Sequence, residues 1–166
     1  MASTDPLERP VWATLCGAHV AFSEGGALAK RFRPDVNVFA SARDDSGEAG
    51  AALAALVAPG EAVGILQVPP IAVPEGFDVL RVRDGVQMTA ASAIEPPKDP
   101  RIKPLGAGDA EEMLALATLT EPGPFARNTY QMGRFVGMRI EGRLAAMAGE
   151  RMIRRWYSEP SFSSLV

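Results

Sequence analysis

Residues 135–152 read FVGMRIEGRLAAMAGERM and carry the pattern of a β-hairpin. Side chains alternate on both arms, and Glu141-Gly142 supplies a two-residue turn of the kind that favours positive φ. Immediately upstream, residues 105–120 (LGAGDAEEMLALATLT) predict a helix. Asp109 stands at the N-cap position and Glu112 three residues later completes a capping-box pattern, while Met113, Leu116, Ala117 and Thr120 share one face. The string Glu121-Pro-Gly-Pro-Phe125 stops that helix, residues 127–133 predict a further short helix, and residues 102–105 a short strand. The order is strand, capped helix, Pro-Gly loop, helix, hairpin.

Working back toward the N-terminus, IEPPKDPRIKP at residues 94–104 contains four prolines and reads as the boundary between two halves. The first half alternates helices and strands. Pro10 opens a helix running to about Phe22, with Trp12, Leu15, Cys16 and His19 on one face. ALAKRF at residues 27–32 reads as a short second helical piece. Residues 35–42 (DVNVFASA) predict a strand and residues 47–58 a helix that Asp45 or Ser46 caps. Residues 62–68 (AVGILQV) predict a buried strand, and residues 78–88 (DVLRVRDGVQM) a strand ending at an Asp84-Gly85 turn. The fold class is therefore α/β with a mixed sheet. Its expected divisions are 1–95, a Pro-rich linker at 96–104, a second unit at 105–152 and a divergent tail at 153–166.

Composition narrows the function. The chain has 166 residues, 47% apolar and 22% charged, a length and balance suited to one globular core without staples. A net charge of −3 argues against a general nucleic-acid binder. Residues 1–95 hold 7 basic and 12 acidic side chains, against 10 and 8 in residues 96–166, an asymmetry that fits two units. Cys16 is the only cysteine, so no internal disulfide forms. The start shows no secretory pattern, and no apolar run reaches the eighteen or so residues that span a membrane. A cytoplasmic protein that contacts neither membrane nor nucleic acid is expected.

The strings GDAEEMLALATLTEPGPF and MGRFVGMRIEGRLAAMAGERM resemble the GNAT superfamily of acyl-CoA-dependent N-acetyltransferases. They are most similar to the subgroup that carries a degenerate GNAT-like half before the catalytic half. Residues 11–32, VWATLCGAHVAFSEGGALAKRF, look like the opening of that N-terminal half, so the resemblance runs through nearly all of the chain up to Met152. It implies a mixed-sheet fold, acetyl-CoA as cofactor and a small-molecule or peptide amine as acceptor. It also implies that the loop after residue 120 lines the acceptor side of the cleft, with Glu121 drawing in the amine and Phe125 and Tyr130 walling it. The other reading of that loop is a Pro-stiffened connector with Phe125 plugging the core.

In that superfamily the strand after the hairpin binds the pantetheine arm, and a Gln/Arg-x-x-Gly-x-Gly/Ala loop cradles the pyrophosphate at a helix N-terminus. A base takes the proton of the acceptor amine and an acid protonates the thiolate. The tail 153–166, IRRWYSEPSFSSLV, contains no such loop and is shorter than the roughly thirty residues that the missing elements need. The expectation is a C-terminally incomplete family member, inactive alone, with no assignable catalytic base. The nearest loop-like string, residues 44–49 (DDSGEA), surrounds its glycine with acids that repel pyrophosphate. Its expected role is an acidic helix start.

Remaining motifs weigh less. Cys16 and His19 stand three apart on one helix, a spacing that seldom lets a thiol and imidazole work together, so a packed histidine is expected. Gly106-Ala-Gly108 lacks the third glycine of a dinucleotide fingerprint. No Cys/His cluster suggests zinc. Arg151, Arg154 and Arg155 beside Trp156 and Tyr157 are an anion-binding candidate, with a divergent tail the favoured alternative. The free edge of the hairpin's second strand is a candidate pairing surface for a homodimer, which makes a non-catalytic binding module the rival class.

Overall fold

The computed structural model describes residues 6–88, 92 and 99–152. The first helix, α1 (Pro10–Cys16), begins with proline at N1, where the missing N–H costs no hydrogen bond. It buries Val11, Thr14 and Leu15. A 3-10 turn at Val20–Phe22 leads into β1 (Ser23–Gly25), β2 (Ala29–Phe32) and β3 (Phe39–Ala42), all antiparallel. Helix α2 (Gly47–Ala54) then crosses over to β4 (Gly64–Ile65), which runs parallel to β3. A parallel neighbour needs such a crossover, and α2 supplies it.

A second sheet has the order β5-β6-β7, entirely antiparallel. Strand β5 (Lys103–Leu105) pairs with β6 (Phe135–Ile140), and β6 with β7 (Arg143–Gly149). Helix α3 (Ala110–Thr120) lies between β5 and β6 in the chain and packs on β7. The hairpin turn is the expected one: Glu141 and Gly142 have φ of 50° and 80°, so both central residues are left-handed. At the far end of the hairpin, the Phe135 ring occupies the space a Cβ on Gly149 would need, so only glycine fits beneath it.

Two apolar clusters hold these layers. Ala29, Ala40 and Leu53 fill the space between α2 and the first sheet, with Leu56, Val63 and Ile65 around them. Val11, Leu15, Phe32 and Val36 close over Met132, and Met152 packs against the same cluster. Met132 and Met152 come from the segment around the second sheet, so one core is shared by both sheets.

The mixed α/β architecture agrees with expectation, and several local expectations are corrected. Residues 29–32 of ALAKRF form strand β2, not a helix, because its backbone is paired on both edges, to β1 and to β3. Helix α1 ends at Cys16, and the 35–42 strand is confined to Phe39–Ala42 because residues 33–37 turn, with Val36 and Asn37 N–H groups donating to the Arg33 carbonyl. Helix α2 ends at Ala54, and its cap is Ser46, whose Oγ accepts the Ala49 N–H at 3.3 Å. Among the described residues, 78–88 pair with no strand. Leu80 is 81% and Val86 90% exposed, so the apolar alternation there has no surface to face. Most of the proline-rich boundary and the whole 153–166 tail lie outside the described residues.

Candidate functional site

The loop after α3 is shaped by its backbone first. Glu121 adopts the left-handed conformation (φ 47°, ψ 47°), and its N–H closes on the Ala117 carbonyl, ending the helix. The carboxylate is left exposed at the loop entrance. Phe125, half-buried, meets Phe135 of β6 edge-to-face at 5.9 Å between centroids. The Arg151 guanidinium reaches back to donate to the Pro124 carbonyl, which ties the end of the hairpin to the Pro-Gly turn. Burial holds the Arg151 pKa below its ordinary value.

The loop's second half is bolted to the first sheet rather than left in a cleft. Thr129 is fully buried; its hydroxyl donates to the Val36 carbonyl at 2.6 Å and accepts the Ala126 N–H at 2.7 Å. The Asn128 N–H donates to the Asp35 carbonyl at 2.8 Å, and its side-chain amide to the Asp35 carboxylate at 2.7 Å. That amide bond, and then Arg33, hold the Asp35 carboxyl below its usual range. Tyr130 is half-buried on a 3-10 turn, Thr129–Met132, with its hydroxyl accepting from the Gln131 side chain at 3.2 Å. Phe125 thus acts as a packing residue against β6, while Glu121 stays open to solvent. Glu150, buried at the end of β7, accepts the Arg134 backbone N–H at 3.4 Å and packs over Gly133.

The α3 N-terminus departs from the expected cap. Asp109 makes no side-chain bond to the helix; one carboxylate oxygen accepts the Gly106 N–H at 2.9 Å and the other pairs with Arg139 at 2.6 Å. Glu112 takes the same guanidinium at 2.5 Å. One arginine of β6 therefore binds both acids of the supposed capping box. The Gly106-Ala-Gly108 string lies in a 3-10 turn, Ala107–Asp109, that runs into α3.

The Cys16–His19 pair is not formed. Cys16 is exposed, and burial of its sulfur raises the thiol pKa against a smaller pull from Lys30. His19 is 2% exposed and turns the other way. Its Nε2 lies 2.7 Å from the Met132 carbonyl, an acceptor only, so Nε2 carries the hydrogen. Nδ1 therefore accepts from the Thr14 hydroxyl at 3.0 Å. The Phe22 and Phe32 rings flank the imidazole, each at 5.8 Å. Burial lowers the His19 pKa, and the bond to Met132 only partly opposes it.

A surface cavity of about 430 Å³ opens at the start of α2, lined among others by Arg9, Asp44, Asp45, Ser46, Gln67 and Glu75. Its one cation is already engaged: the Arg9 guanidinium donates to Asp45 at 2.5 Å, to Gln67 at 3.0 Å and to the Ala42 carbonyl at 3.3 Å. The helix-start amides are engaged too. Ser46 N–H goes to the Asp44 carboxylate and Ala49 N–H to Ser46 Oγ. Hydrogen bonds from the Ser46 hydroxyl and from Arg43 hold the Asp44 pKa at about 2, so this acid is ionised at neutral pH. A pyrophosphate does not suit a helix start lined by the Asp44 and Asp45 carboxylates. Arg9 and Gln67 could be connected to this corner only through the fold, because they lie 58 residues apart.

Among the described residues no group of three or more His, Cys, Asp or Glu is placed to hold a metal, and no helix is long and apolar enough to cross a membrane. No protein-family model and no curated protein matches the chain. A solved structure does: a "Putative Acetyltransferase from the GNAT family" of Novosphingobium aromaticivorans DSM 12444. Identity is 39%, the TM-score is 0.75, and the match covers 89% of this chain. The chain spans 65% of that protein's length.

Proposed function

This chain belongs to the GNAT superfamily, and on that premise we propose that it serves N-acyl transfer from acetyl-CoA to an amine of a small molecule or peptide. The observation that carries the reading is the 39% identity held over 89% of the chain. Identity at that level, together with a backbone match of TM-score 0.75, goes beyond fold analogy, which alone would leave function open. The acceptor side is assigned to the loop opened by Glu121, whose carboxylate is exposed, with Phe125 and Tyr130 half-buried further along it. A protein of this kind, with one cysteine, suits the cytoplasm.

The described residues do not supply the cofactor's phosphate site. The helix starts of α2 and α3 both carry acids: Glu48 in one first turn, Glu111 and Glu112 in the other. Nowhere does the sequence read Gln/Arg-x-x-Gly-x-Gly/Ala. We assign acetyl-CoA binding to the portion of such a protein that this chain does not span. Calorimetry with acetyl-CoA, and a thiol-release assay across a panel of amines, test both parts. The expected result is no micromolar binding and no turnover by this chain alone. Micromolar binding would overturn the phosphate-site argument while strengthening the family function.

A second reading, a non-catalytic pairing or binding module, is favoured by one observation: among the described residues β7 pairs with β6 alone in its sheet.

A further inference from the structure

We propose that His19 is a proton-operated latch that docks the Thr129–Met132 turn, and with it the acceptor-side loop, onto the first sheet. The inference does not depend on the acyltransferase reading. It stands on a geometry in which one buried imidazole is the crossing point of two units. Nε2–H holds a carbonyl 113 residues away, and Nδ1 is held by a hydroxyl of α1.

A neutral ring satisfies both bonds at once. A protonated ring keeps Nε2–H on the Met132 carbonyl and turns Nδ1 into a donor, toward which the Thr14 hydroxyl must rotate to present its oxygen. The cost lies in the added charge, which sits between Phe22 and Phe32 on a ring only 2% exposed. Undocking the Met132 turn exposes the ring and removes that cost, so protonation favours the undocked state.

The charged and titratable groups on the surrounding elements do not offset this. The elements around the ring carry Lys30, Arg31, Arg33 and Arg134 as cations, and Asp35 and Glu150 as acids. Arg33 spans the outer face of Phe22 and pairs with Asp35 at 3.3 Å, Arg31 pairs with Glu61, and Arg134 is near Glu150 at 4.0 Å. The Cys16 thiol, raised by burial, adds no charge near pH 7. Burial is the leading cause of the lowered His19 pKa. Because the folded value lies below the unfolded one, docking is fully favoured above about pH 6.5 and weakens as pH falls from there toward the folded value. The other polar ties, Asp35 to Asn128 and Thr129 to Val36, survive this window because the Asp35 carboxyl is held below the usual carboxylate range and the Thr129 hydroxyl does not titrate.

His19 is the only histidine, so its ring resonances titrate without ambiguity. NMR titration from pH 8 to 5 is paired with hydrogen exchange corrected for intrinsic rates. The reporter is the Asn128 N–H, bonded across the junction to Asp35; the control is the Ala55 N–H, bonded to Ala51 within α2. A ring midpoint below 6.5 is expected. Below that pH the Asn128 opening ratio should rise by up to about tenfold per pH unit while Ala55 stays protected. His19→Gln, which keeps a donor and an acceptor but no titration, should flatten the response, and Asp35→Asn should retain it. A ring midpoint at or above 6.5 overturns the latch. So does protonation that leaves Asn128 unchanged, or that opens Asn128 and Ala55 equally. If His19→Gln does not fold, the wild-type midpoint and the two amides decide between these outcomes.

Discussion

Thr129 is the residue on which the junction between the two sheets most plainly depends. It is 0% exposed and uses its hydroxyl twice, as donor to Val36 and acceptor from Ala126. Thr129→Val preserves shape and removes both bonds, leaving a buried carbonyl and a buried N–H without partners. Each such group costs on the order of 1–3 kcal/mol, so about 2–4 kcal/mol of stability should be lost. Urea denaturation measures it, and a loss under about 0.5 kcal/mol would mean that water replaces the hydroxyl. Nothing near Thr129 in the sequence announces this role, since Val36 lies 93 residues away. The same distance problem hides His19, whose helical spacing places it on a core face but cannot name Met132. By contrast Glu121, exposed at a left-handed helix end, is marked by the Pro-Gly string that follows it.

At the scale of elements, legibility followed how local the determining forces are. The β6–β7 hairpin was readable because Glu141-Gly142 meets the turn's φ requirement by itself. Helix α2 was readable from Ser46 and a run of alanines. Strand β2 was not, because Ala-Leu-Ala-Lys-Arg favours helix and only pairing with β1 and β3 overrides that preference. Residues 78–88 err the other way: alternation without a neighbouring strand or core gives no strand. The fold class came from the hairpin and α3, while the cavity at α2 and the junction around Met132 came only from packing. A register shift places Ala145 as an extra residue on β7, between Leu144 and Ala146. Such a bulge twists an edge away from partners, so only residues 146–149 remain for pairing with a second copy. If the pairing reading holds, light scattering should show mass rising from monomer toward dimer over tens to hundreds of micromolar. Ala146→Lys should then stay monomeric. A wild-type mass constant at one chain across that range removes the reading.

For the molecule as a whole, these parts make stability a two-step function of pH. The upper step belongs to His19, held neutral by burial, and runs downward from about pH 6.5. The lower step belongs to carboxylates whose folded pKa is depressed. Glu61 is brought to about 2, chiefly by hydrogen bonds from Arg31 that join β2 to the loop after α2. Asp44 reaches about 2 through Ser46 and Arg43, and Asp99 about 2 through Arg101. Depressed acids stabilise the fold above their unfolded values near 4, and that contribution disappears as pH falls from about 4.5 to about 2. These acids are solvent-accessible, so added salt should shrink the lower step. Burial protects the upper step from salt, which separates the two causes in one experiment. Urea midpoints measured from pH 8 to 2.5 should therefore fall below about pH 6.5, level, and fall again below about pH 4.5. His19→Gln should erase the first decline and leave the second, and Glu61→Gln should shrink the second and leave the first. A single decline centred near pH 4, unchanged by His19→Gln, would mean that the histidine joins the two sheets by packing and not through its proton.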